Sequence, residues 1–251
     1  MTRFALLLRR PAAALIAAAT LLAPGPALAA TTGSGKALSE TRAVSGFQAI
    51  ALPGSIDVVV RQASSEGVQV RADDNVLPLV QTIVEGSGDT RTLRIQFKAG
   101  VSVRTKTPVV VSVDVIKLSA VSSSGSGNIR IEALKTPQLS LSISGSSDAR
   151  LQQLDTDQLS VSIAGSGDVQ EASGRAGKLD VSIAGSGDLR ARELAAGEVS
   201  VTIAGSGDAS VTAQKTLSVA IAGSGDVDYG GGAVVTNKRI AGSGSVRQRQ
   251  P

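Results

Sequence analysis

The sequence predicts an all-β fold, a right-handed parallel β-helix (β-solenoid) with coils of about 20 residues and irregular N-terminal coils. Three observations carry it. A short phrase opens at Gly125-Ser126-Gly127-Asn128 and returns at Gly145, Gly165, Gly185, Gly205, Gly223 and Gly242, with spacings of 20, 20, 20, 20, 18 and 19 residues. Ahead of each phrase the apolar residues alternate, as in Leu139, Leu141, Ile143 and again in Leu159, Val161, Ile163, which is the period of a strand with one face inward. Apolar residues make up 42% of the chain but aromatics only 2%, so the core must be thin layers of Ala, Val, Leu and Ile.

Taken in order, the chain opens with Arg3, Arg9 and Arg10 before an apolar run from Ala12 to Leu22, broken at Pro24-Gly25-Pro26 ahead of Ala27-Leu28-Ala29. This is the layout of a secretory signal peptide over residues 1–29, with cleavage expected between Ala29 and Ala30. Its loss removes three arginines and no acid and leaves 22 basic and 21 acidic residues, so the mature chain has no excess charge for nucleic acid. Once the signal is removed no membrane insertion is expected. Residues 30–45 are rich in Gly, Ser and Thr and read as a flexible linker before a single solenoid domain over 46–250.

Within that domain, residues 46–117 form the irregular coils and 118–246 the regular repeats. Alternation at Ile56, Val58, Val60 and at Val109, Val111, Val113, Val115 is of the same kind, and the break at Gly86-Ser87-Gly88-Asp89 resembles a hairpin turn as much as a corner. In the repeats, Ala149, Val169, Leu189, Ala209 and Val227 lie six residues past the isoleucine and should point inward again. One 20-residue unit cannot bury its own apolar face; stacked copies at ~4.8 Å can. Glycine at each corner supplies positive φ, and Asp or Asn bonds the backbone of its own turn. Phe47 and Phe97 read as core, Tyr229 as an exposed loop residue, and the run Val246-Arg247-Gln248-Arg249-Gln250-Pro251 as an end that discourages another strand.

The order Gly46-Phe47-Gln48-Ala49-Ile50, Gly54-Ser55-Ile56-Asp57-Val58, then Gly-Ser-Gly-Asp coils, resembles the putative auto-transporter adhesin, head GIN domain family, over roughly residues 45–246. The resemblance implies a pectin-lyase-like β-helix on an exported bacterial protein, periplasmic, on the cell surface or secreted, with adhesion as its role and no catalytic residues to carry over.

The absence of Cys and His excludes disulfides, thiolate chemistry and every Ser-His-acid arrangement. Asp148, Asp168, Asp188, Asp208 and Asp226 should form a column up one edge. Its plain reading is turn capping with no cofactor; its sharper reading is a calcium ladder, since close carboxylates repel and Ca²⁺ takes oxygen ligands. Three functions follow. The first is a non-catalytic adhesin or binding module for a cell-surface, polymer or protein ligand, with end-to-end self-association open to it. The others are a polysaccharide-processing enzyme of pectin-lyase-like fold, which needs its acids in one cleft, and a calcium-dependent repeat domain.

Overall fold

The computed structural model describes residues 30–88 and 91–250. The expected signal peptide and Ala29 of its cleavage bond lie outside the described residues, as does Asp89 of the hairpin break. The chain begins with β1 (Thr31–Thr32) and β2 (Ala37–Arg42), then β3 (Ala49–Leu52), β4 (Asp57–Gln62) and β5 (Gly67–Asp73). A 3-10 turn, Leu77–Leu79, leads to β6 (Val80–Glu85), β7 (Thr92–Phe97), β8 (Val103–Arg104), β9 (Val110–Val115), β10 (Ala120–Ser123) and β11 (Ile129–Ile131). The regular part comprises β12 (Leu134–Gly145), β13 (Ala149–Gly165), β14 (Val169–Gly185), β15 (Leu189–Gly205) and β16 (Ala209–Gly223), closed by β17 (Val227–Gly230), β18 (Val234–Gly242) and β19 (Val246–Gln248). No helix among the described residues is long and apolar enough to cross a membrane.

The long strands reveal the coil's cross-section. In β13 the buried residues are Ala149 and Leu151, then Leu154 and Thr156, then Leu159, Val161 and Ile163. Alternation breaks wherever two adjacent residues face away from the core, at 152–153 and again at 157–158. Each break flips the phase of a period-2 strand and so marks a corner. With the glycine corner at 164–168, each coil has three sides. The first side holds Leu159 to Ile163, the second Val169 to Ala172 and the third Gly174 to Ala176, and each pairs in parallel with its counterpart one coil on: Leu159↔Leu179, Ala149↔Val169, Thr156↔Ala176. The expected inward residues Ala149, Val169, Leu189, Ala209 and Val227 are all fully buried. Phe47 is core and Phe97 packs against it. Tyr229 departs from expectation: it is buried in β17, opposite Val211 and Gln248, because it occupies an inward position of the last complete second side.

The irregular coils are threaded out of sequence order. β3 and β4 pair in parallel with β10 and β11 on one side and with β7 and β9 on the other, so the coil nearest the chain start sits between two later ones. Antiparallel strands close this end: β6 on β7 as the expected hairpin, β5 on β9, and β2 on β5.

Residues 30–45 correct the linker expectation. They form β1, paired with β8, and β2, paired along its whole length with β5. Their side chains are mostly exposed and show no apolar alternation, so composition could not reveal a segment held by its backbone. The anchor is Asp73, wholly buried, whose Oδ1 accepts the Gly35 amide at 3.1 Å and whose Oδ2 accepts the amides of Lys106 at 3.0 Å and Thr107 at 3.3 Å. Burial works to raise its pKa, but these amides and the Thr107 hydroxyl outweigh it and hold the carboxyl below its ordinary value. A depressed carboxyl contributes stability above its unfolded pKa of about 3.9 and loses it as pH falls through the lower folded value. Asp73→Asn, which turns one acceptor into a donor facing amides, is therefore expected to free residues 31–42. Their amides should exchange rapidly while those of β13–β16 stay protected; equal protection in variant and parent would contradict the anchor.

Candidate functional site

The corner between the first and second sides is the most regular feature of the molecule. At each turn the serine amide donates to the glycine carbonyl of the preceding coil: Ser166 to Gly145, Ser186 to Gly165 and Ser206 to Gly185, each at 2.9 Å. Such close approach leaves no room for a side chain. A Cβ on Gly185, whose φ is +132°, would lie 2.4 Å from the Gly165 oxygen.

The five predicted aspartates do form one column here, and each is clamped in both directions. Oδ1 of Asp168, Asp188 and Asp208 accepts the backbone amide of the next coil's aspartate at 2.8, 2.9 and 2.8 Å; Asp148 does so at 3.3 Å, and Asp226 accepts the Ser245 amide at 2.7 Å. In the other direction, the Asp168, Asp188 and Asp208 carbonyls accept the amides of Ala149, Val169 and Leu189. The second carboxylate oxygen is engaged as well at several levels. Asp148 Oδ2 takes Gln170 Nε2 at 2.5 Å, Asp188 Oδ2 lies 3.8 Å from Arg190, and Asp226 Oδ2 lies 3.5 Å from Arg247. The Ser245 hydroxyl and amide, with Arg247, hold the Asp226 carboxyl below its ordinary value despite partial burial. Among the described residues no group of three or more acidic side chains converges as a metal cage.

The ladder starts earlier than the repeat suggests. Gly54-Ser55-Ile56-Asp57 is its first corner: Asn128 donates both its amide and its side-chain NH₂ to Asp57 Oδ1, at 2.8 and 2.9 Å, and Ser126 donates to the Gly54 carbonyl. The copy hides because Ile56 replaces the second glycine and 71 residues separate it from the next. Within the ladder, Asp188→Ala is expected to cost about 1–2 kcal/mol by orphaning the Asp208 amide, whereas Asp188→Asn keeps an acceptor and most of that stability. Chemical denaturation of the three proteins measures this; equal losses would separate the carboxylate from the ladder.

Two surfaces flank the corner. On the first side the outward residues are short and in register: Ser122, Ser142, Ser162, Ser182, Thr202 and Ala220 form one column, and Ser144, Ala164, Ala184, Ala204 and Ala222 another. Across β12–β16 these columns are uncharged, with Asp180 beside them, and they run into Arg94 at one end of the stack and Arg239 at the other. On the second side Asp188, Asp208, Asp226 and Asp228 mingle with Arg190, Arg192 and Arg247 around a shallow depression. Acidic and basic side chains are interspersed there, and the Asp188, Asp208 and Asp226 carboxylates each hold a backbone amide of the next coil.

The family of putative auto-transporter adhesins, head GIN domain, matches residues 46–233. No curated protein matches the chain. Among solved structures, a putative adhesin from Bacteroides fragilis superposes with a TM-score of 0.77 at 23% identity, covering 87% of this chain and 99% of the other, a likeness that establishes the fold. A protein from Parabacteroides distasonis named a putative lipid binding protein gives 0.72 at 25% identity over 88% of this chain and 100% of the other. A putative adhesin from the same organism gives 0.70 at 29% identity, again over 88% and 100%.

Proposed function

Since the chain belongs to the family of putative auto-transporter adhesins with a head GIN domain, we propose that it is an exported, non-catalytic binding module that adheres through the first side of its stack. The observation that carries this reading is the register of that side: short Ser, Thr and Ala side chains repeat coil after coil over a rigid sheet. A flat, stiff array loses little side-chain entropy on contact and matches a partner that is itself extended or repetitive. The corner acids support the same reading from the other direction. They are spread one per coil and bonded to backbone, which suits a scaffold and not a hydrolytic cleft.

The test is retention of fluorescent beads coated with residues 30–251 on bacterial cells, on isolated cell-wall polysaccharide and on immobilised extracellular-matrix protein. Retention on at least one surface is expected, and Ser162→Arg with Ser182→Arg should abolish it without changing the far-UV circular dichroism. Retention indifferent to these two arginines would remove the first side from the account. Release of new reducing ends from the polysaccharide would place the protein among polysaccharide-processing enzymes.

A further inference from the structure

The out-of-order threading leaves a notch on the third side, and we propose that it binds a free long-chain carboxylate. β4 ends at Gln62 and the chain departs for β5, so among the described residues no third-side strand pairs beneath residues 134–138, and the segment 116–119, passing from β9 to β10, crosses there. The resulting cavity of about 550 Å³ is within the range of small-molecule sites.

Its floor is apolar. Ile116 is 47% exposed although it lies between buried Val115 and Leu118, and it faces the notch together with Leu118 and Pro137. Its rim is cationic. Lys117 and Lys135 both line the cavity, and no acidic side chain does. Lys117 makes no hydrogen bond or ion pair among the described residues, while Lys135 reaches Asp155 at 3.6 Å, an acid already 3.3 Å from Arg175.

The open sheet edge above the notch is closed to an added strand. Gln62 does the work of one: its Oε1 accepts the Lys135 amide at 2.9 Å and its Nε2 donates to the Lys135 carbonyl at 2.9 Å. Thr136 turns its hydroxyl to the Leu118 carbonyl, and Pro137 has no N–H to offer. Beyond that edge the notch presents the apolar surface of Ile116, Leu118 and Pro137, side-chain amides such as that of Gln138, and the Lys117 ammonium. Their complement is a molecule with an alkyl body and a single anionic head. The first side takes no part, so this inference stands or falls separately from the adhesive reading.

Titration calorimetry of residues 30–251 tests it, with dodecanoate below its micelle concentration as the probe and acetate, dodecyltrimethylammonium and anionic phosphatidylglycerol vesicles as comparisons. One dodecanoate per chain is expected, with no measurable acetate or trimethylammonium binding. Lys117→Glu and Ile116→Asp, both at exposed positions, should each weaken dodecanoate about tenfold or more without moving the melting temperature. Absence of dodecanoate binding, equal binding of the cationic amphiphile, or affinity unaltered in both variants would overturn the proposal. So would binding to the vesicles alone, which would assign the notch to a membrane surface.

Discussion

Substituting valine for Gly185 is expected to abolish the cooperative β-rich melt of the protein. The position combines a φ of +132°, which a β-branched residue does not adopt without strain, with a carbonyl oxygen 2.4 Å from where the new Cβ must stand. That oxygen belongs to Gly165 and accepts the Ser186 amide, so it cannot retreat without breaking the corner bond between two coils. Strain and a broken inter-coil bond in the middle of the stack together exceed about 4 kcal/mol, a large part of a domain's total stability. Gly242→Val offers the matched comparison: its φ of +134° and its 2.1 Å approach to the Gly223 oxygen are equivalent, but it lies in the last coil. There the damage should stop at fraying of β18 and β19, because coil stability is a nearest-neighbour sum. Circular dichroism melts of both variants decide the matter; a Gly185→Val melt within a few degrees of the parent would show that the corner tolerates side chains.

The second large effect concerns a pair of serines that depart from the repeat together. In later coils the second corner glycine packs over the isoleucine of the coil before: a Cβ on Gly187 would lie 2.7 Å from Ile163 Cγ2, and one on Gly207 2.9 Å from Ile183 Cγ2. One pair of successive coils breaks both rules. Ser147 stands where glycine is usual and Ser123 where isoleucine is usual, in register with Leu52 below and Ile143 above. The two hydroxyls are buried and bonded to each other at 2.6 Å. Ser123→Ile alone is expected to cost about 1–3 kcal/mol, by crowding Ser147 and stranding its hydroxyl. Ser147→Gly alone leaves the Ser123 hydroxyl only its long bond, 3.5 Å, to the Leu52 carbonyl. The double substitution restores the repeat, buries an isoleucine and should be more stable than the parent by about 1–2 kcal/mol. Denaturant melts of the four proteins close the cycle, and additive losses would mean that the serines are independent.

Much of this was legible in the chain because the repeat states its own geometry. The inward Leu, Val and Ile ahead of each glycine phrase were identifiable from alternation alone, whereas the corners at 152–153 and 157–158 were not, since the third side between them buries only Leu154 and Thr156. The column of Asp148, Asp168, Asp188, Asp208 and Asp226 followed from spacing. What those carboxylates do did not, since an Asp that caps its own turn and an Asp that holds the next coil's amide have the same sequence. The threading of β3 and β4 between later coils was hidden for a different reason: Ile56, Val58 and Val60 alternate identically whichever strands flank them. Residues 30–45 were misread because their attachment is backbone pairing on β5 and three amides on Asp73, neither of which leaves an apolar signature. Tyr229 was misread because the glycines after it, at 230–232, suggested a loop, whereas it fills an inward site of β17. The notch on the third side is a product of threading and left no motif.

The same aspartate column serves either a scaffold or a calcium-dependent fold, and metal dependence separates the two. The measurement is thermal unfolding of residues 30–251, followed by far-UV circular dichroism in excess calcium and then in excess chelator. With each Oδ1 of Asp148 to Asp226 holding an amide of the coil above, superimposable melts are expected. A melting temperature several degrees higher in calcium, reversed by chelator, would contradict the scaffold and make the ladder a metal site.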